Sequence, residues 1–219
     1  MLSRVLVLQG GSCLESAEKR KNAAVFRVFA SEENFIRALK KKDLRAYELL
    51  YTEYAGIVGS IAKSYLNIDD IDDVIQEVFL RVYKSVRKFK GDAAFSTWLY
   101  RIAVNVCKDF LKRYKKRSET VTDFDEEETS LEEPRAESDV EGEVSRELQV
   151  EVLNRIMGHL SEDDRLFITL RDLDGLDYEE ISRIVEKPLG TVKSRIHYAR
   201  KRLKELLEAS GYFRGEDSI

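Results

Sequence analysis

The residues best placed to do chemistry in this sequence would bind a ligand rather than react with it, and they lie between Phe95 and Arg113. At about 100° per residue, apolar side chains recur on one side of this segment, which predicts an amphipathic helix. The predicted buried side consists of Phe95, Leu99, Ile102, Ala103, Val106 and Phe110. The opposite side carries Trp98, Arg101, Asn105, Lys108 and Lys112, called the stripe below.

The stripe combines side chains that suit an unpaired nucleic-acid strand. Cations can follow phosphates, an aromatic ring can stack on a base, and an amide can read a base edge. The helix pattern alone still favours the simpler interpretation of a solvated charged face. A basic cluster, Lys112 to Arg117, ends the segment and favours contact with a nucleic-acid backbone.

The distribution of charge agrees with a nucleic-acid ligand although the net charge of the 219-residue chain is −4. Between Glu119 and Glu143 there are twelve acidic residues and one arginine, so the rest of the chain carries a net charge of +7. This acidic stretch has few apolar residues and no periodicity, which predicts a flexible linker. The linker divides the chain into two parts, and basic charge can be displayed on either side of it.

Catalysis is not predicted. The chain has two histidines, His159 and His197, and two widely spaced cysteines, Cys13 and Cys107, so we expect no metal site and no disulfide. It contains no phosphate-binding loop and no metalloprotease motif. A nuclease would need metal ligands that the sequence lacks. We therefore expect a protein that is not an enzyme and needs no cofactor, in a reducing compartment.

The first part of the chain is predicted to be helical. Ser31 offers a helix start, and apolar residues from Phe35 to Tyr65, including Leu44 and Tyr51, recur at steps of three and four, which predicts two packed helices. A third helix has carboxylates at its start, from Asp69, Asp70, Asp72 and Asp73, and its predicted buried face consists of Ile71, Val74, Ile75, Val78, Phe79 and Val82. Its polar face contains one leucine, Leu80, which by itself is an ordinary exposed apolar residue.

The pattern of the second part of the chain predicts a helix-turn-helix. A helix from Val144 to His159 precedes a near capping box at Ser161, and Asp177 to Glu180 forms a full capping box for a short helix. The chain breaks at Lys187-Pro188, and a basic amphipathic helix begins at Thr191. We expect its first turns to specify bases and its later cations to hold phosphate. The DNA-contacting candidates are Thr191, Lys193, Ser194, Arg195, His197, Tyr198, Arg200 and Lys201, with Arg202 as a further phosphate contact.

Two motifs resemble one family. FSTWLYRIAVN, preceded by KFKGD and DDVIQEVFLRVYKSV, resembles region 2 of bacterial RNA polymerase sigma factors of the extracytoplasmic-function (ECF) group. The segment from Leu160 to Leu203 resembles region 4, but Ser182 and the His197-Tyr198 pair depart from the usual pattern. Because of these departures, the resemblance does not specify the promoter sequence that would be recognised.

The resemblance implies specific roles. The stripe would hold the non-template strand of the minus-10 element, and the last helix would read the minus-35 element. The third helix would dock on the clamp helices of the largest polymerase subunit, and region 4 on the flap of the second largest. The docking candidates on the third helix are Asp73, Gln76, Glu77, Leu80 and Arg81. An anti-sigma factor is an implied partner, and the protein would be cytoplasmic without inserting into a membrane.

The predicted fold is all-α, with two helical domains joined by a flexible acidic linker, the C-terminal one containing a helix-turn-helix. The predicted boundaries are 1–30 for an extension, 31–117 for region 2, 118–143 for the linker, 144–212 for region 4 and 213–219 for a tail.

The main alternative to a sigma factor is a helix-turn-helix regulator that binds duplex DNA unaided, with the N-terminal domain as its sensor or oligomerisation module.

Overall fold

The computed structural model describes residues 28–68, 71–120 and 146–210. The predicted tail and most of the predicted extension and linker lie outside the described residues. Within them the secondary structure is helical, and no strand occurs. The helices are α1 (Glu32–Lys40), α2 (Leu44–Leu66), α3 (Asp72–Ser85), α4 (Phe95–Thr120), α5 (Arg146–Gly158), α6 (Glu162–Ile168), α7 (Tyr178–Val185) and α8 (Leu189–Ala209).

Helices α1 to α4 form the N-terminal unit. The Ser31 side chain caps α1, and Asp43 caps α2, each accepting a hydrogen bond from a backbone N–H in the first turn. Phe95, at the start of α4, contacts the rings of Phe35, Tyr54 and Phe89 at centroid distances of 5.7, 6.2 and 5.7 Å. This aromatic cluster fixes the beginning of α4 against the rest of the unit.

Helices α5 to α8 form the C-terminal unit and contain the helix-turn-helix. The predicted capping box is present at α7, where Asp177 accepts from the Glu180 N–H and Glu180 accepts from the Asp177 N–H. Helix α6 continues into a π-helical turn, Thr169–Leu173. Helix α8 begins at Leu189, two residues before the predicted start, because Pro188 stands at its N-cap with a φ that suits a helix entry.

The two units pack against each other through an apolar core. Leu166, Leu170 and Ile181 of the C-terminal unit belong to the same buried cluster as Phe35 and Leu50 of the N-terminal unit. A second cluster, around Ile168 and Leu203, lies wholly within the C-terminal unit. The contact between the units was not predicted, because the hydrophobic pattern of a helix shows that a side is buried but not which element buries it.

Candidate nucleic-acid interface

The stripe lies on the solvent side of α4. Arg101, Asn105 and Lys112 are exposed, and Trp98 and Lys108 are half-buried. The residues predicted to face the core are buried or half-buried. The structure therefore places the five stripe residues along one accessible helix face, next to one another at helical spacing.

Two contacts from α1 fix the entry to that face. The Glu32 carboxylate accepts a hydrogen bond from the backbone N–H of Phe95 at 2.8 Å, which caps α4 from 63 residues away in the sequence. The Lys40 ammonium donates to the Phe89 carbonyl at 2.8 Å. The loop between them turns at Gly91, whose φ of +85° is a left-handed conformation that glycine adopts without steric cost.

Trp98 sits between the core and the stripe. Its ring lies 5.2 Å from that of Phe89 and 5.5 Å from that of Phe95, and part of it remains accessible. Packing on two rings holds the indole in a defined orientation. A base that stacks on the accessible part would meet a ring that is already positioned.

Helix α4 is also buried on a side that was not predicted to face the core. Tyr100, Val104 and Cys107, outside the predicted core stripe, have no exposed surface. Burial raises the pKa of the Cys107 thiol to about 12, and burial together with Asp174 of the C-terminal unit raises that of Tyr100 well above its usual value. Up to Cys107, α4 is thus buried on two sides, and the stripe lies on its accessible side.

The exposed face of α8 carries most of the candidates for duplex DNA. These exposed residues are Thr191, Lys193, Ser194, Arg195, His197, Tyr198 and Lys201. The His197 and Tyr198 rings contact each other edge to face at 5.5 Å, and the Lys193 ammonium lies 5.9 Å from the ring centroid of Tyr178. The Ser194 hydroxyl donates to the Thr191 carbonyl at 3.0 Å. Polar side chains on the first turns of α8 therefore face solvent together.

Two arginines of α8 have internal partners that the sequence did not reveal. Arg200 is half-buried and forms a two-point ion pair with Asp172, which raises its pKa. Arg202 pairs with Asp164, whose carboxylate is buried at 1% exposure. Both acids lie about 30 to 40 residues away in the chain, so no local spacing indicated the pairs.

The docking candidates lie together on α3. Asp73, Gln76 and Leu80 are exposed, with Leu80 at 49%, while Glu77 and Arg81 are half-buried. The Arg81 guanidinium donates to Glu77 at 2.8 Å and to Asp109 of α4 at 2.8 Å, and both contacts raise its pKa. Arg81 thereby ties the two helices together.

More apolar surface is exposed on α2 and α3 than the sequence indicated. Leu44 and Tyr51 of α2, part of the predicted packed pattern, are 71% and 55% exposed. The Tyr51 ring contacts Phe79 at 5.0 Å, and Tyr83 is 39% exposed. The helical period was right, but it did not show that this edge of α2 lacks a covering helix.

In the described ranges, no group of three or more His, Cys, Asp or Glu side chains is arranged to hold a metal ion. None of the helices in the same ranges is long and apolar enough to cross a membrane.

The sequence matches two family models. Residues 50–117 match "Sigma-70 region 2" and residues 151–203 match "Sigma-70, region 4". The ECF RNA polymerase sigma-E factor of Escherichia coli K12 is 39% identical over 176 residues, which cover 78% of this chain and 91% of that protein. The sigma-E factor of Haemophilus influenzae is 36% identical over 182 residues, covering 81% and 96%.

Solved structures have the same fold. CnrH, in complex with the cytosolic domain of CnrY, superimposes with a TM-score of 0.57 at 22% identity, covering 80% of this chain and 96% of that one. The sigma factor RpoE of Bartonella quintana, in complex with the anti-sigma factor NepR, gives 0.57 at 24%, covering 75% and 98%. The chain therefore belongs to the ECF group of sigma factors, DNA-binding proteins that direct RNA polymerase to promoters and initiate transcription without being enzymes themselves.

Proposed function

We propose that the stripe holds the opened non-template strand of the minus-10 element. The observation that carries this proposal is the exposure of Arg101, Asn105 and Lys112 in line on α4, beside an indole fixed by two rings. The cations hold phosphates, the ring stacks on a base, and the amide reads a base edge. The buried sides of α4 hold the helix in place and keep these groups in register.

Intrinsic fluorescence tests this role directly, because Trp98 is the only tryptophan in the chain. We expect a single-stranded oligonucleotide with the minus-10 sequence to quench the emission. Asn105→Ala should weaken binding by about 1–3 kcal/mol, the value of one base-edge contact. Asn34→Ala, at an exposed position of α1, is the matched control and should bind like the wild type. Emission that does not change with the strand would contradict the proposal.

Helix α8 is proposed to read the minus-35 element in the major groove. Lys193, Ser194, His197 and Tyr198 are exposed on its first turns, where a recognition helix meets base edges. Thr191, Arg195 and Lys201 add polar and cationic groups on the same surface. Selection of preferred upstream sequences by Lys193→Ala or Ser194→Ala should give altered base preferences. Preferences identical to those of the wild type would exclude base reading by this helix.

The α3 face is proposed as the dock for the polymerase clamp. The exposed Leu80 shares one face of α3 with Asp73, Gln76 and Glu77, and the exposed Tyr83 follows it one turn later. This combination has the apolar centre and polar rim of a protein interface. Region 4 is proposed to contact the flap of the second largest subunit. These contacts would hold the two DNA-reading faces on one enzyme.

Co-purification with core polymerase tests the dock. Leu80→Asp puts a charge at the centre of the face without touching the buried side of α3, so assembly should be lost while the circular dichroism spectrum is kept. Ile68→Asp puts the same charge on another partly exposed apolar residue, outside α3, and should still assemble. If the folded Leu80→Asp protein co-purifies with core at the wild-type level, the polymerase binds a different surface of the protein.

We propose further that the protein acts in the cytoplasm and is controlled by an anti-sigma factor. The support is that the similar sigma factor from Bartonella quintana was solved with such a partner, and CnrH with a cytosolic domain of CnrY. The proposed domain boundaries are those predicted from the sequence, with region 2 in residues 31–117 and region 4 in residues 144–212.

A further inference from the structure

Helix α1 holds both ends of the loop that precedes α4. The Glu32 carboxylate accepts a hydrogen bond from the Phe95 N–H, and the Lys40 ammonium donates one to the Phe89 carbonyl, each at 2.8 Å. Both α1 side chains are half-buried, so each contact is partly shielded from water. Phe35, between them on α1, is buried with its ring 5.7 Å from that of Phe95. Two polar contacts and one aromatic contact therefore join α1 to the ends of the loop.

The spacing of the two polar contacts constrains the shape of the loop. Glu32 and Lys40 are eight residues apart, which is about 12 Å along a helix axis. The chain from Phe89 to Phe95 would span about 20 Å if it were extended, so the loop has to fold back between its two attachments. Gly91, with its φ of +85°, makes this turn possible. The α1 contacts therefore select a compact loop.

The middle of the loop has no comparable support. Among the described residues, no hydrogen bond involves Lys90, Gly91, Asp92 or Ala93. The first three of these residues are exposed. A segment with few contacts of its own has low local stability, so its conformation depends on how its ends are held.

Trp98 of the stripe depends on the same loop. Its ring lies 5.2 Å from that of Phe89 and 5.5 Å from that of Phe95, the two residues that α1 holds. A displaced loop would change the support beneath the indole, and a base would then meet a ring in several orientations. A ring held in one orientation binds more tightly, because less conformational entropy is lost on binding.

We propose that Glu32 and Lys40 are positioning residues for strand binding, which act by fixing the loop and Trp98 rather than by contact with the strand. The proposal rests on the proposed role of the stripe. When either contact is lost, only a fraction of the molecules has the binding conformation, and the strand affinity falls in proportion to that fraction. A purely structural role would lower the stability of the fold and leave the affinity of the folded protein unchanged.

Glu32 has a matched control in the residue before it. Ser31→Ala removes the cap of α1, a contact with the Asn34 N–H at 3.1 Å, and so lowers stability without touching the loop. Glu32→Ala should weaken binding of a single-stranded minus-10 oligonucleotide about tenfold, measured by quenching of Trp98, because a hydrogen bond to a charged group is lost. Glu32→Gln keeps an oxygen that can accept from the Phe95 N–H and should restore most of the affinity. Ser31→Ala should bind like the wild type.

The salt dependence of binding tests Lys40. Lys40→Met keeps the apolar stem and removes the donor, and it leaves Glu32 in place, so it tests the loop independently if Glu32→Ala disturbs folding. We expect binding about three- to tenfold weaker at every salt concentration, with an unchanged slope of log affinity against log salt. A slope reduced by about 0.7 would show a direct phosphate contact and overturn the positioning role of Lys40.

Acrylamide quenching of Trp98 in the free proteins supplies a measurement without DNA. Glu32→Ala and Lys40→Met should make the indole more accessible to acrylamide, and Ser31→Ala should not. If the two loop variants keep the wild-type accessibility and bind the strand like Ser31→Ala, the positioning role is overturned while the strand site stands. If the strand does not quench Trp98 in the wild type, the strand site itself is wrong and the positioning role falls with it.

Discussion

The accessible faces of α4 and α8 are both basic, but their cations are used differently. On α4, Arg101 contacts an acid across the boundary between the two units, while Asn105 and Lys112 remain exposed. On α8, Arg200 and Arg202 pair with acids inside their own unit, and Lys193, Arg195 and Lys201 face solvent. A cation within reach of a buried acid stabilises the fold, and one without such an acid is available to DNA.

The largest expected effect is on the free energy of unfolding, which Arg202→Ala should change and Lys201→Ala should not. Arg202→Ala should lower the free energy of unfolding by about 1–3 kcal/mol, because the buried carboxylate of Asp164 loses its charged partner. The Oδ1 atom of Asp164 already has no hydrogen-bond partner among the described residues, so no second contact compensates. Urea denaturation measures the change. Lys201→Ala, one position away, should denature like the wild type, and equal midpoints for both variants would remove the distinction.

Lys201 should instead affect DNA binding. Its side chain is 65% exposed and has only a loose contact with Glu205, at 3.9 Å. Lys201→Ala should reduce the slope of log affinity against log salt by about 0.9 on duplex minus-35 DNA, with the same loss on every sequence. Titrations at four salt concentrations on two promoters provide the comparison. A slope equal to that of the wild type would mean that Lys201 does not contact phosphate.

A smaller effect should distinguish Arg101 from Lys112 within the stripe. Arg101 must give up Glu186 before it can bind a phosphate, so Arg101→Ala should cost less strand affinity than Lys112→Ala. The difference should be about 0.2–1 kcal/mol, the typical value of an exposed ion pair. Fluorescence titration of the free chain measures both. In the background of Glu186→Gly the two variants should become equivalent, and a difference that persists there would need another cause.

The sequence was sufficient for what depends on local spacing. The period of α4 predicted the accessible stripe, and the capping boxes predicted the starts of α6 and α7. It could not predict contacts between distant residues. The Glu32 cap on α4 and the Arg165 contacts with α2 join positions 63 and about 100 residues apart, and no periodicity reports such pairs.

The same limit explains what the sequence did not reveal at the candidate sites. Arg200 and Arg202 have the exposure pattern of phosphate contacts in a helical projection, and only the folded chain brings Asp172 and Asp164 to them. Tyr51 has the period of a core residue, but its ring packs against Phe79 and otherwise remains on the surface. Burial depends on which helices meet, which the pattern of one helix does not contain.

Promoter opening by the reconstituted holoenzyme tests the central claim most directly, because it depends on the stripe when polymerase and both promoter elements are present. Permanganate reactivity of unpaired thymines measures the opened region. With Asn105→Ala, we expect wild-type co-purification with core polymerase and a loss of thymine reactivity equivalent to about 1–3 kcal/mol in the opening equilibrium. Wild-type reactivity from a holoenzyme that contains Asn105→Ala would contradict the assignment of the minus-10 strand to this face of α4.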